Sequence, residues 1–468
     1  MTTQKRYFFC GIGGSGMLPL ATILNETGAQ VAGSDRALDQ GRTPEKFDWL
    51  RSQGIDLFPQ NGSGLNSADQ VLVASAAIED TVPDVAAALA LGCRRMTRAE
   101  LLSELFNAAG KSIGIAGTSG KSTTTAMVAW ILQADTSVPT VVNGAVMGNF
   151  ARPGAPYASA VAGKGEVFAA EIDESDGSIA LYTPSVSVVN NISKDHKSME
   201  ELRTLFGAFV SRAGDLAVLN ADDGETISLK PHGRAVRTFS IEGRLADVMA
   251  RNIVPGPTSI SFDVEIGGTG DTASVHLPVP GRHNVANALA AVAATMDRVG
   301  LSGAASQLST FKGTKRRFEI VGEAGGVTVI DDFGHNPDKI TATLRTLHDF
   351  PGRILILFQP HGFGPLRLLK DEFIDTFAEH LKPDDVLVMP EPVYFGGTVS
   401  RDVSSEDIAS GIRGRMRRAT AFATRDLAGA HLLSLARPGD RLIIMGARDD
   451  SLSEFAADLL LQLRNRAH

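Results

Sequence analysis

Ser112-Ile-Gly-Ile-Ala-Gly-Thr-Ser-Gly-Lys-Ser-Thr-Thr-Thr-Ala-Met-Val-Ala-Trp-Ile-Leu132 is the stretch on which the fold turns. A short apolar run predicts a buried strand, and an apolar pattern after Lys121 predicts a helix. Between them lies Gly117-Thr-Ser-Gly-Lys-Ser-Thr-Thr-Thr125. Strand, glycine loop and helix in that order are the context a phosphate loop needs. Successive backbone N–H groups wrap phosphate oxygens, Lys121 neutralises their charge, and the Ser122 hydroxyl is suited to Mg²⁺. The spacing departs from the strict Walker pattern, because Gly117 supplies the first glycine. The reading is a unit that binds ATP or GTP.

Upstream, the first hundred residues alternate in the same manner. Strands are predicted over 7–10, 30–33 and 70–75, and helices over 17–26 and 85–91. Strands spaced by helical stretches point to a parallel sheet with crossover helices. Gly11-Ile-Gly-Gly-Ser-Gly16 forms the first turn. Its glycines let the backbone approach a diphosphate at a helix N-terminus. Asp35, 19 residues beyond Gly16, is placed to meet a ribose or base edge. A nicotinamide dinucleotide and a nucleotide-sugar diphosphate satisfy this physics equally, and a turn needed only for packing would use the same glycines. Residues 107–110, Asn-Ala-Ala-Gly, read as a linker.

Downstream, short apolar runs over 166–170, 185–191 and 215–219 each end in polar residues. Glu171-Ile-Asp-Glu-Ser-Asp176 places carboxylates at a strand's carboxyl end, where phosphates and Mg²⁺ sit in such sheets. Asn190-Asn-Ile-Ser-Lys-Asp-His196 follows the next strand, with His196 suited to a second cation or to substrate. Residues 230–280 alternate differently and suggest an antiparallel excursion. Gly281-Arg-His-Asn-Val-Ala-Asn287 opens an alanine-rich helix running to 296; its asparagines suit either an adenine edge or a helix cap. A third unit begins near Arg316 and Arg317, with strands over 327–330, 353–358, 385–389 and 441–445 and helices over 339–347 and 369–381. Asp331-Asp-Phe-Gly-His335-Asn-Pro337 and Gln359-Pro-His361 end strands of this unit, as site residues do in such sheets. The expected architecture is α/β throughout, in three units over 1–107, 108–315 and 316–468.

Composition bounds the function. The chain has 468 residues, about three domains' worth, with 45 Lys plus Arg against 53 Asp plus Glu. A net charge of −8 offers no general attraction to nucleic acid or to an anionic membrane. Two cysteines, Cys10 and Cys93, exclude a disulfide framework. No apolar run reaches the roughly 18 residues that span a bilayer. The opening MTTQKRYFFCGIGG enters a strand directly, without a signal peptide's apolar stretch, so a cytoplasmic protein is expected.

Taken in order, GIGGSGM from Gly11, GSD from Gly33, SAAI from Ser75, GTSGKSTTT from Gly117, EIDESDGS from Glu171 and NISKDH from Asn191 resemble the Mur ligase family. LNADD from Leu219, GRHNVANA from Gly281, RRFE from Arg316, DDFGHNP from Asp331 and FQPH from Phe358 extend the resemblance over essentially the whole chain. It implies an N-terminal Rossmann-like domain for a UDP-sugar, a central P-loop ATPase domain, and a C-terminal Rossmann-like domain for the incoming amino acid. It also implies the reaction: ATP phosphorylates the lactyl carboxylate of UDP-N-acetylmuramate, an amino acid attacks the acyl phosphate, and phosphate leaves. This step belongs to peptidoglycan precursor synthesis.

By the same resemblance, Lys121, Glu174, His196 and Arg317 are the catalytic set. Gly117, Thr118, Ser119, Gly120, Lys121, Ser122 and Thr123 surround the ATP phosphates, with Asn284, Asn287 and Asp331 completing that site. Ser122, Glu174 and His196 hold Mg²⁺. Gly11, Gly13, Gly14, Ser15, Gly16, Asp35 and Ser75 face the UDP-sugar, while His335 and His361 lie on the amino-acid side. ATP and Mg²⁺ are the implied cofactors and L-alanine the implied acceptor; a monomer or homodimer that binds neither nucleic acid nor membrane is expected. The chain departs from the family pattern at Ser119, Ser198 and Asn336, and most at Gly362-Phe-Gly-Pro-Leu366, where an Arg-Tyr-Ser-Arg-Thr run is usual and Arg367 stands nearby. Glycine, serine or a recycled L-Ala-γ-D-Glu-diaminopimelate tripeptide therefore stay open as acceptors, as does another UDP-sugar. A binding homologue without turnover is the alternative from another class.

Overall fold

A computed structural model describes residues 5–76, 78–135, 138–194, 197–393, 401–447, 449 and 451–466. Three sheets organise it, and in each the site-bearing loops leave the carboxyl ends of parallel strands.

The first sheet runs Asp56–Phe58, Gln30–Ser34, Arg6–Cys10, Gln70–Ala74, Arg94–Thr97, with every neighbouring pair parallel. Strand order reverses at Arg6–Cys10, so the crevice beyond its carboxyl end, where residues 11–16 turn, is the topological switch point at which such sheets bind ligands. Phe8 and Phe9 are fully buried on opposite faces of that strand, as expected for a sheet covered on both sides.

The second sheet has ten strands. Lys111–Ala116 lies between Val186–Val189 and Val167–Glu171, parallel to both. That order brings three strand ends together: the glycine loop at 117, the carboxylates from 171, and the asparagines at 190 and 191. The expected excursion over 230–280 is an extension of this same sheet. Val236–Ser240 and Val248–Pro255 join it in parallel, followed by Ile260–Ile266 and Thr272–Leu277 at the edge. The alanine-rich helix is longer than expected, Arg282–Leu308, and is two helices joined at Gly300 (φ 70°, ψ 162°).

The third sheet runs Glu319–Ala324, Val327–Asp332, Arg441–Gly446, Ile354–Gln359, Val386–Pro390, Arg418–Phe422. Its first pair is antiparallel and the remaining pairs are parallel.

The chain divides into two compact units. One comprises 1–253, 262–277 and 284–312, the other 254–261, 278–283 and 313–468. The first two sheets share a unit because one apolar cluster spans both: Phe106 packs edge-on against Phe168 and Tyr182, with ring centroids 5.8 and 5.5 Å away. Aromatic pairs of this kind contribute about 0.5–1.5 kcal/mol each beyond burial. Among the described residues no helix is long and apolar enough to cross a membrane.

Candidate active site

The phosphate loop is held open by its neighbours. Gly117 (φ 128°) and Gly120 (φ 83°) adopt backbone that L side chains rarely take. A Cβ on Gly120 would stand 2.4 Å from the Asn287 Oδ1 and 2.9 Å from the Asn190 Nδ2. Asn191 clasps the loop from the adjoining strand end: its Oδ1 accepts from the Ser119 N–H (2.8 Å) and its Nδ2 donates to the Ser119 carbonyl (3.1 Å). Its own carbonyl accepts from the Thr118 N–H at 3.0 Å. The Thr118 hydroxyl donates to the Ser193 carbonyl (3.1 Å) and accepts from its N–H (3.0 Å). With Ser119 held through its backbone, the departure to serine leaves the loop's frame intact.

Lys121 opens helix Lys121–Ile131 and turns back over the loop. Its ammonium donates to the Gly117 carbonyl (2.7 Å) and to both oxygens of Glu174 (2.9 and 3.2 Å). Both side chains are largely buried, 14% and 7% exposed. Burial pulls the ammonium's pKa down, but Glu174, Glu171 and Asp173 outweigh it and the group is held charged above its ordinary value. Burial pushes the Glu174 carboxyl up, against the pull of Lys121. Asp173 is half-buried, which pushes its carboxyl up, yet the Ser175 N–H and Lys121 hold it below the usual carboxylate range.

Further asparagines complete the mouth. The Asn190 Nδ2 donates to the Thr124 hydroxyl (2.9 Å), which donates to the Asn287 Oδ1 (3.2 Å), and the Asn287 Nδ2 donates to the Asn284 Oδ1 (3.2 Å). Among the described residues the Asn190 Oδ1 is buried without a partner. An orphan acceptor on a residue beside the glycine loop is one that a ligand or water donor can satisfy. Ser122 is buried beside Lys121, and its carbonyl accepts from Asn143. The oxygen donors here, the Ser122 hydroxyl and the carboxylates of 171–176, suit a hard cation such as Mg²⁺, which keeps phosphate oxygens and waters in its shell. His196 lies outside the described residues.

At the first sheet's switch point, the Gly11 and Ile12 N–H groups donate to the Ser34 carbonyl, 2.8 and 3.0 Å away. Both Asp35 oxygens are engaged: one accepts from the Gly13 N–H (2.9 Å), the other from the Ala37 N–H (2.8 Å). Asp35 thus braces the glycine turn and caps the helical turn Arg36–Asp39. Gly14, Ser15 and Ser75 are exposed at the crevice, and Gly16 is half-buried.

In the second unit, Asp331 and Asp332 end their strand in the core. Asp332 accepts from the N–H groups of Phe318 and Gly334 (both 2.9 Å) and from the Thr343 hydroxyl (3.0 Å). Asp331 accepts from the Ser453 hydroxyl (2.6 Å) and faces Arg316 at 3.6 Å. The Arg317 guanidinium lies 4.3 Å from the Phe333 ring centre. Phe333, His335 and His361 form a run of edge-on rings with centroids 5.3 Å apart at each step. The His335 Nδ1 is 2.8 Å from the Phe333 carbonyl, which places a proton on that nitrogen. Burial, then Lys339, His361 and Arg317, hold His335 well below its ordinary pKa. Burial also lowers His283, against the pull of Asp332. The unfolded chain therefore binds protons at these sites before the folded one does. Stability is full above about pH 6.5 and declines as pH falls from there. A urea midpoint that rises on acidification from pH 7 to 5.5 would contradict this, and His335→Gln should flatten the slope.

The departures have local reasons. Ser198 caps helix Met199–Ser211 in a reciprocal box with Glu201, and Asn336 caps helix Pro337–His348 through the Lys339 N–H. Gly362 (φ 144°) starts the short helix Phe363–Leu368, which buries Leu366 and turns Arg367 to the surface, where it pairs with Asp402 at 3.0 Å. Sequence reading missed the Asn191 clasp and the Thr124 relay, although the asparagine pair at a strand end was a visible signal.

Comparison with known proteins bears on the whole chain. Residues 6–109 match the family model described as Mur ligase family, catalytic domain; 115–295 match the Mur ligase middle domain, and 316–448 the Mur ligase glutamate ligase domain. The UDP-N-acetylmuramate–L-alanine ligase of Agrobacterium fabrum is 35% identical over 98% of this chain and 96% of its own. The crystal structure of the UDP-N-acetylmuramate–alanine ligase of Thermotoga maritima superposes with a TM-score of 0.79 at 26% identity, covering 99% of this chain and 100% of its own. A murein peptide ligase from Psychrobacter arcticus shares the fold, with a TM-score of 0.74 at 24% identity over 98% and 99% of the two chains.

Proposed function

The chain belongs to the Mur ligase family, and from that premise we propose that it joins L-alanine to UDP-N-acetylmuramate at the expense of ATP. The observation that carries the reading is the Lys121–Glu174 pair pinned under the glycine loop, in a chain that aligns nearly end to end with an enzyme of that name.

A carboxylate does not acylate an amine directly, because its leaving group would be oxide. Transfer of the γ-phosphoryl group to the lactyl carboxylate supplies a better one, phosphate. The amine then attacks, and phosphate departs as the amide forms. Lys121 is placed to follow charge from the γ-phosphate onto the transferred group, and the loop N–H groups hold the β-phosphate. Mg²⁺, when bound by Ser122 and Glu174, would supply further charge neutralisation; His196 is assigned to a second ion by resemblance alone. Asn284 and Asn287 serve the adenine side. Gly11, Gly13, Gly14, Ser15, Gly16 and Ser75 take the UDP-sugar, with Asp35 bracing their turn. Arg317 and Asp331 act toward phosphate and nucleotide, and His335 and His361 toward the acceptor. The functional division is 1–107, 108–315 and 316–468, and the protein works in the cytoplasm as a monomer or homodimer.

A second reading keeps the chemistry and changes the acceptor. The Gly362 helix favours it, since the family's Arg-Tyr-Ser-Arg-Thr run is absent and the nearby Arg367 is exposed and paired with Asp402. Phosphate release from ATP with UDP-N-acetylmuramate decides, using L-alanine, glycine, L-serine and the tripeptide in turn, with product mass recorded. We expect L-alanine to give kcat/KM at least tenfold above the others. Turnover with another acceptor alone moves the enzyme's place in metabolism, and silence across the panel removes the ligase reading.

A further inference from the structure

Arg98 is the first residue of helix Arg98–Asn107. Its backbone is fixed by a capping box in which the Thr97 hydroxyl accepts from the Glu100 N–H (3.1 Å) and the Glu100 carboxylate accepts from the Thr97 N–H (2.7 Å). The side chain lies against Gly16: a Cβ there would stand 2.5 Å from the Arg98 Cδ, 3.2 Å from Nε and 3.3 Å from Nη1. On its other side, Nη2 is 4.0 Å from the Asp176 Oδ2, beyond hydrogen-bond reach. Among the described residues Arg98 donates no hydrogen bond, and its side chain is 29% exposed. Five N–H donors thus stand against the glycine turn with their hydrogen-bonding capacity unspent. Lys46, another cation at this turn, donates to the Gly13 carbonyl at 3.3 Å.

The turn itself offers backbone N–H groups and a helix N-terminus but no full positive charge. A nucleotide-sugar diphosphate carries two adjacent anionic groups, for which a guanidinium fork is better suited than an ammonium. We infer that Arg98 binds the diphosphate of the sugar-nucleotide substrate, with Gly16 lacking a side chain so that the guanidinium can lie over the turn. This rests on the proposed ligase reading. Asp176 faces the guanidinium across 4.0 Å, and a diphosphate on the turn would be the nearer anion.

Calorimetric titration of the whole protein with UDP, and separately with ADP, tests the inference on wild type, R98A, R98K and D176N. R98A should weaken UDP binding about 10–100-fold, as loss of charged hydrogen bonds does. R98K should lose less, D176N should change UDP affinity by under about threefold, and ADP affinity should stay put in both Arg98 variants. In turnover, R98A should raise KM for UDP-N-acetylmuramate by a similar factor with kcat little changed. UDP binding by R98A within twofold of wild type overturns the inference and leaves the ligase reading standing. An equal loss for UDP and ADP overturns it too, by showing a folding effect. Failure of the wild type to bind UDP overturns both.

Discussion

Replacing Lys121 by alanine lowers kcat for phosphate release by about 10²–10³-fold, the cost of removing one preorganised group that meets developing charge. The Lys121 side chain is 14% exposed and its ammonium is fixed by the Gly117 carbonyl and both Glu174 oxygens, so on the proposed reading it needs no reorganisation as the γ-phosphoryl group transfers. Lys121→Ala also strips Glu174 of its cation. That carboxyl is already pushed up by burial, and losing Lys121 moves it further in that direction. Glu174→Gln keeps the ammonium while removing the charge that orients it. The double variant should then lose less than the product of the two single losses, because both act on one unit. Steady-state kcat at saturating substrates, with UDP affinity as the control for folding, is the measurement. Activity of Lys121→Ala within tenfold of wild type would remove the loop from the chemistry.

Arg316→Ala costs the second unit about 3–5 kcal/mol of unfolding free energy, the range for stripping a buried charge of its partner. Arg316 is 9% exposed and Asp331 fully buried, with the Nε and Oδ1 facing each other at 3.6 Å. Neither of those two atoms has a hydrogen-bond partner among the described residues. The rest of the guanidinium is engaged, Nη2 donating to the Gly446 carbonyl at 2.8 Å, so its removal also orphans an acceptor at a neighbouring strand end. Burial already pushes Asp331 up, and losing Arg316 moves it further in that direction. Replacing both residues with apolar ones of similar size, as in Arg316→Met with Asp331→Leu, should cost less than Arg316→Ala alone. Urea unfolding followed by circular dichroism reads both. A midpoint for Arg316→Ala within the scatter of wild type would mean the pair carries no stability.

What was legible in sequence followed local rules. Apolar runs such as Ser112–Ala116 or Ile354–Gln359, buried along their whole length, read as strands within a residue or two of their ends. Glycine turns after Cys10 and Ala116 marked the two loops proposed to meet phosphates. Short strands at or toward sheet edges went unread: Asp56–Phe58, Arg94–Thr97 and Arg418–Phe422 carry exposed charges and have no apolar period of their own. Their conformation is imposed by pairing with a neighbour, which no local pattern encodes.

Local pattern alone was enough to read an α/β protein with a strand, glycine loop and helix of the phosphate-loop kind, a second glycine turn after the first strand, and carboxylates at a strand end. Strand period, turn glycines and helix starts are written within a dozen residues of chain. Which of those ends meet was decided only by the tertiary structure. Placing Lys111–Ala116 between strands that begin at 167 and 186 is what sets Glu174 against Lys121 and Asn191 around Ser119. The same is true of Arg98, an ordinary helix-start residue in sequence that lies against Gly16 and near Asp176. Parallel pairing joins segments far apart in the chain. Its register rests on the packing of both faces of each sheet, so these meetings exist only once the whole core has formed.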